Sequence, residues 1–319
     1  MTITALDHIA LVVRDLDATL EGLTRIFGRE PNWRGTGGGM RHAWYQFGNT
    51  ALDVLEPGEA GMAGAWMAQH GEGLWGLAFA TDDMEAERKR LARLSIPSTE
   101  AFPVRTKDET GAARIWPTSV IDAGATAGVT TFLIGTTPDA APWPVSPLVG
   151  DEGVGDEGVG DEAAAVSGLD HVVVSTPNPE RAAALYGARL GLDFKLDRTN
   201  AAWGTRLMFF RVGGLVVEIA HPLKTPPSDN EDFLGGSRVK VFGITVAELT
   251  HPPAPPTSDD PDHLWGLTWA VPDIAAAHAR MTTAGLSLSE IRTGRKPGTQ
   301  VYTVKNAPGR VPTLIIGAA

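Results

Sequence analysis

The sequence predicts an α+β protein assembled from four β-α-β-β-β modules, and three observations predict it. First, Leu6-Asp7-His8-Ile9-Ala10-Leu11-Val12-Val13 returns as Leu169-Asp170-His171-Val172-Val173-Val174, with a constant offset of 163 through the following turn and helix (His8 to His171, Asp17 to Glu180, Gly28 to Gly191). Second, an offset of 190 relates Trp75 to Trp265, Asp83 to Asp273 and Leu91 to Met281. Third, each repeated apolar strand runs through an Asp- or Pro-containing turn into a helical pattern, and alternating strands follow where the pattern is clearest. Such spaced self-similarity is an internal repeat and orders everything else. The modules run A, B, linker, A′, B′.

Taken in order, residues 5–13 alternate as a strand, with His8, Ala10 and Val12 on one face and Ile9, Leu11 and Val13 on the other. Asp15 is an N-cap for a helix over 16–27, whose buried stripe is Leu16, Leu20, Leu23 and Phe27; Gly28 closes it. A glycine-rich loop covers 35–39, with room for a short strand at 29–34 before it. Strands at 40–47 and 51–55 flank a Gly48-Asn49 hairpin turn. Module B starts with a strand at 74–80, turns at Thr81-Asp82-Asp83, forms a helix over 84–94 and ends in a strand at 129–134. Residues 136–167, rich in Pro, Gly, Asp and Glu, have nothing to bury and read as a disordered or extended linker. Module A′ has strands at 169–174, 207–212 and 215–220 and a helix near 180–190. A Pro-rich surface insertion at 251–256 precedes module B′. The expected domains are residues 1–135 and 168–319.

Composition narrows the function classes. The apolar share of 43% suits a protein with real cores, and the absence of cysteine excludes disulfides, thiolate metal sites and cysteine nucleophiles. A net charge of −11 argues against nucleic acid, which needs a basic face. With no long apolar run and no signal-like N-terminus, a cytoplasmic protein without a membrane partner is expected, as a monomer or homodimer. There is no serine nucleophile elbow and no dinucleotide fingerprint.

The two Leu-Asp-His strands, the Asp/Pro turns and the fourfold pattern resemble the vicinal oxygen chelate superfamily, which includes glyoxalase I, methylmalonyl-CoA epimerase, extradiol dioxygenases and bleomycin-resistance proteins. The resemblance covers nearly all of the chain outside the linker and the Pro-rich insertion. It implies two glyoxalase-like domains whose mixed sheets are curled into cups. It also implies that a strand-one histidine and a last-strand acid carry metal or acid–base chemistry. Those positions here are His8 and Asp53 in module A, and His171 and Glu218 in module A′. Strand alternation independently turns both acids to the cup, because Leu52 and Val54, like Val217 and Ile219, need a covering helix. A hydrogen-bonded structural pair is the plain alternative for each.

Modules B and B′ depart from the pattern. Gly76 and Gly266 stand where further ligands would begin, and the last strands carry no acid or histidine. Each cup then holds two ligands where a catalytic divalent ion usually takes three or more. Either one divalent ion (Zn, Ni, Mn or Fe) or none is expected. Small residues at Gly76, Ala78, Ala80, Gly266, Thr268 and Ala270 leave the cup roomy, while Trp75, Phe79, Trp265 and Trp269 fall on the opposite face as core. Arg41 and Arg206, at equivalent strand positions, are expected in the cup because an Arg sits poorly under a helix, ready for a carboxylate or enolate oxygen; an edge Arg reaching solvent is the other reading. Arg292 and Arg295, in a basic loop before Tyr302, are further candidates for an anionic substrate. His42, His70, His251, His263 and His278 read as surface or loop residues.

The expected function is a glyoxalase-like lyase or isomerase acting on a small oxygenated molecule by enolisation, with or without a metal. A metal-free binding or resistance protein and an extradiol ring-cleaving dioxygenase are the alternatives.

Overall fold

The computed structural model describes residues 3–136, 143–150, 161–201, 204–223, 240–241, 244–245 and 257–319. The tandem Gly-Asp-Glu-Gly-Val repeat beyond Gly150 and the Pro-rich insertion with His251 lie outside them.

The N-terminal half contains β1 (Ile3–Val12), α1 (Leu16–Phe27), β2 (Trp33–Gly37), β3 (Met40–Gln46), β4 (Ala51–Pro57), α2 (Met62–His70), β5 (Gly73–Thr81), α3 (Met84–Arg93), β6 (Phe102–Asp108), β7 (Ala113–Ile121) and β8 (Thr130–Gly135). The eight strands close into a barrel in the order β1-β4-β3-β2-β6-β7-β8-β5. Modules A and B therefore share one cup. The glycines expected as loop are strand: Gly35 and Gly37 lie in β2, close against the backbone of β6 at Lys107 and Arg105, where a side chain would collide. Helix α2 and strands β6 and β7 lie in stretches where no element is expected from the sequence.

The C-terminal half contains β9 (Gly168–Ser175), α4 (Pro179–Ala183), continued by a π-helical turn at Ala184–Arg189, then β10 (Asp193–Asn200), β11 (Thr205–Val212) and β12 (Leu215–Pro222). The two-residue strands β13 (Lys240–Val241) and β14 (Ile244–Thr245) pair with each other. Then come β15 (His263–Ala270), α5 (Ile274–Thr283), β16 (Arg292–Thr293), β17 (Thr299–Val304) and β18 (Thr313–Ala318). Its eight-stranded sheet runs β10-β11-β12-β9-β15-β18-β17-β16, and among the described residues its edge strands β10 and β16 do not pair.

Local chemistry explains the elements that position the site. Asp15 caps α1 by accepting from the Ala18 amide at 2.9 Å, worth roughly 1 kcal/mol. Asp83, Asn178 and Asp273 cap α3, α4 and α5 in the same way. The α1 stripe of Leu16, Leu20, Leu23 and Phe27 buries against the convex face of β3 and β4, at Tyr45, Leu52 and Val54. That core runs on into the C-terminal half, where Trp269 meets Phe27 at 4.9 Å and Phe47 at 4.7 Å.

The ends of the expected linker are packed. Arg29, 2% exposed, donates to the carbonyls of Val166 (2.7 Å) and Ser146 (2.8 Å) and pairs with Glu162. Ala164, Ala165 and Val166 are buried against the barrel. A buried guanidinium with five donors needs acceptors, and the segment's backbone supplies them.

Candidate functional site

Each Leu-Asp-His sequence contains a register shift. In β1 the pairing with β5 slips between Leu6 and His8, and in β9 the pairing with β15 slips between Leu169 and His171. Such a bulge sets two successive residues on one side of the sheet. Asp7 thereby reaches His8, with Oδ1 2.6 Å from Nδ1, and Asp170 reaches His171 at 2.9 Å. The aspartates were legible as invariant members of the repeat, but simple alternation placed them opposite their histidines.

In the C-terminal sheet the expected pair does meet. Val217 and Ile219 enter the helix-side core while Glu218 turns to the concave face, 3% exposed. Its Oε2 lies 3.6 Å from His171 Nε2, and Oε1 is buried without a hydrogen-bond partner among the described residues. His171 Nε2 is also 2.9 Å from the Thr268 hydroxyl. Burial pushes the Glu218 carboxyl above the usual range, against the opposing charges of His171 and Arg295. For His171, burial pulls downward, but the hydrogen bond to Asp170 and the charge of Glu218 outweigh it and raise the imidazole. Asp170 is held low by that same bond, with Lys296 3.6 Å away. Arg295, from the basic loop, faces Glu218 closely enough for each to act on the other's charge.

In the N-terminal barrel the pairing differs from expectation. Asp53 faces inward as expected, but its partner is His42, with Nδ1 3.2 Å and 3.3 Å from the two carboxylate oxygens. His42 is 6% exposed and corrects the expectation of a surface residue. Its Nε2 lies 3.2 Å from the Gly37 carbonyl, so both ring nitrogens face acceptors. Burial lowers the His42 imidazole, but the charge and hydrogen bond of Asp53 prevail and raise it. His8 instead packs its ring on Trp44, centroids 4.8 Å apart.

Other expected positions move. Arg206 shares its strand face with Met208 and Phe210, which are helix-side core, so it does not enter the cup. It reaches past the helix end, binds Asp197 through two nitrogens (3.0 and 2.8 Å) and meets Glu180 in the first turn of α4 at 2.6 Å. Arg41 does the same with Asp17 (2.8 Å) and Glu56 (3.0 Å). An Arg is tolerated beside a helix when acids of the first turn neutralise it. Tyr302 lies under α5, fully buried, its hydroxyl 3.3 Å from the Met281 sulfur, and so does not face the cup. Arg292 donates to the hydroxyls of Ser289 (3.3 Å) and Thr303 (3.5 Å).

The expected roominess is also corrected. Register shifts at Trp75 and Trp265 swing both indoles to the concave side, while Phe79 and Trp269 stay in the core. Trp75 packs with Ala10, Val12, Leu55 and Phe132, and Ala63 of α2 joins that cluster. Trp265 packs with Val173, Leu207 and Ala220. A notch of ≈ 20 Å³ lies beside His171, Thr268 and Trp265. A groove of ≈ 470 Å³ lies on the barrel rim around Met40, Arg41 and Glu56 and touches neither strand-one histidine.

Among the described residues no three His, Asp or Glu side chains converge on a common point. His8, Asp53, His171 and Glu218 divide between two sheets, and Nε2 of His171 already engages Thr268. This donor set does not fit a divalent ion that needs three protein ligands. No described helix is long and apolar enough to cross a membrane.

The sequence profile of the Glyoxalase/Bleomycin resistance protein/Dioxygenase superfamily matches residues 7–113 and 170–303. No curated protein matches in sequence. Among solved structures, a triple mutant of 4-hydroxymandelate synthase from Streptomyces coelicolor superposes with a TM-score of 0.62 at 16% identity, covering 100% of this chain and 93% of that one. A xylose isomerase-like TIM barrel/4-hydroxyphenylpyruvate dioxygenase fusion protein gives 0.58 at 12% identity, over 99% of this chain and 49% of that one. Methylmalonyl-CoA epimerase from Streptomyces coelicolor gives 0.37 at 25% identity, over 44% of this chain and all of the epimerase.

Proposed function

We propose that this chain, which belongs to the glyoxalase/bleomycin resistance protein/dioxygenase superfamily, is an enzyme that moves a proton at the carbon beside a carbonyl of a small oxygenated molecule. The active centre is the concave face of the C-terminal sheet. The observation that carries this reading is Glu218 Oε1, a buried carboxylate oxygen without a hydrogen-bond partner among the described residues, next to an imidazole held by Asp170. Leaving a polar atom buried and unpaired costs about 1–3 kcal/mol, a cost that substrate binding would recover.

In this reading Glu218 takes the carbon-bound proton. The C–H electron pair forms the carbon–carbon double bond of the enolate, and the carbonyl π pair moves to oxygen. The positive charge of Arg295 steadies that oxygen. His171, whose Nδ1 is fixed on Asp170, returns a proton to carbon or oxygen and so sets isomerisation or epimerisation. A carboxyl raised by burial is a stronger base than a solvated one, which suits proton abstraction near neutral pH. The described residues do not fit a metal held by three protein ligands.

Proton NMR in D2O on a panel of 2-oxo acids and 2-hydroxy ketones tests the reading. Wild type is expected to exchange the carbon-bound proton, and E218Q and H171A to exchange it about 10²–10⁴-fold more slowly. Burial already disfavours the Glu218 carboxylate, so the neutral E218Q is expected to stay folded, which its melting curve checks. Equal exchange in E218Q would overturn the proposal.

A further inference from the structure

The interior of the N-terminal barrel carries a concentration of aromatic rings that the C-terminal centre does not use. Trp44 projects inward between His8 (4.8 Å) and Trp116 (6.2 Å), and Trp33 lies beside His42 at 6.5 Å. The wall is completed by a ring from outside the barrel. Trp143, in the segment joining the two halves, lies nearly parallel to Trp44, with centroids 6.2 Å apart and planes inclined by 28°. It meets Trp33 edge-on at 5.9 Å. The Arg114 guanidinium carbon sits 3.1 Å from the centre of the Trp143 indole.

The backbone anchoring this segment lies at the strand ends rather than in the barrel. Asn32 donates to the Pro144 carbonyl at 3.0 Å, and Ser146 exchanges bonds with Gln46 at 2.8 and 2.9 Å. The segment is thus held by its own hydrogen bonds, and the indole is a separable addition to the site. The groups around it recognise it by stacking on one flat face and by a cation over the ring, the two interactions that select an electron-rich planar aromatic.

We infer that the N-terminal barrel is a second binding site, for electron-rich planar aromatic molecules of indole size, and that Trp143 occupies it as an internal ligand. A free aromatic enters by displacing Trp143 from Trp44 and Arg114. The competition reduces the apparent affinity to the intrinsic one multiplied by the fraction of chains in which Trp143 is displaced. The inference stands apart from the proton-transfer reading, because it shares no residue with Glu218 and His171.

Isothermal titration of the full chain with indole tests it. W143A is expected to bind indole at least tenfold more tightly than wild type. Adding W44L to W143A is expected to abolish the gain, and adding E218Q to leave it unchanged. W143F, which keeps a ring, is expected to fall between wild type and W143A, and it serves as the measured variant should W143A not fold. Equal affinity in wild type and the Trp143 variants would overturn the inference. So would a gain that E218Q removes and W44L does not.

Discussion

Arg90 and Arg280, related by the 190-residue repeat, each cap the helix of the opposite half. Arg280 in α5 donates to the carbonyls of Arg25 and Ile26 at the end of α1, both at 2.6 Å. Arg90 in α3 donates to the carbonyls of Arg189 (2.9 Å) and Leu190 (3.1 Å) at the end of the π-helical turn after α4. Helix ends leave carbonyls without partners, and a guanidinium answers both that need and the helix dipole. The hairpin turns repeat this exchange: Asn49 bonds the backbone of Leu169 at 2.7 and 3.0 Å, while Gly213 packs on Ala5 so closely that a Cβ would lie 2.7 Å from its Cα. The two halves are joined by a pseudo-twofold set of contacts.

The two arginines should not cost the same when removed. R280A leaves carbonyls without donors and is expected to cost about 2–3 kcal/mol in denaturant unfolding. R90A also strands Glu87, which is fully buried and bonded to Arg90 at 2.6 and 2.7 Å. Breaking a buried pair from one side costs about 3–5 kcal/mol. An R90A variant more stable than R280A would contradict the assignment.

The His42–Asp53 pair predicts a pH dependence of stability. The folded His42 imidazole lies above its ordinary value, because Asp53 outweighs burial. Its contribution is fully present below the unfolded pKa of about 6.5 and is lost as pH rises through the folded value. The difference in melting temperature between wild type and H42Q should therefore shrink as pH rises above about 6.5. A difference that grows over that range would rule the pairing out.

Restoring a histidine at either missing ligand position should fail. A Cβ at Gly266 would lie 2.7 Å from the Pro312 carbonyl oxygen, and one at Gly76 would lie 2.9 Å from Cε2 of Phe132. G266H and G76H are expected to lose about 1–3 kcal/mol by overpacking. Neither is expected to take up zinc in a calorimetric titration. Stoichiometric zinc binding at an unchanged melting temperature would show that these positions still accept a ligand.

Much of the inward and outward assignment was legible. Glu218 and Asp53 follow from the alternation of their strands, because the apolar neighbours on either side need a helix above them. His42 was hidden: it follows a glycine-rich stretch, and only the pairing of β3 with β4 carries it to Asp53. Arg41 and Arg206 misled because an exposed acid at a helix start, Asp17 or Glu180, is remote in sequence from the strand it neutralises. Trp143 sits in a segment whose composition reads as linker, and nothing local signals that its indole meets a barrel interior.

The sequence by itself determined the fourfold repeat, the family resemblance and the inward face of Glu218, because helix and strand periods are local and survive in every copy. The tertiary structure alone decided which residues join Asp7, Asp170, Trp75 and Trp265 on the concave side. Each lies at a register shift, and a bulge resets strand parity in a way that alternation cannot encode. It also decided that one sheet closes into a barrel while the other stays open. The pairing of β6 with β2 closes the first, and such a long-range pairing is invisible within either strand.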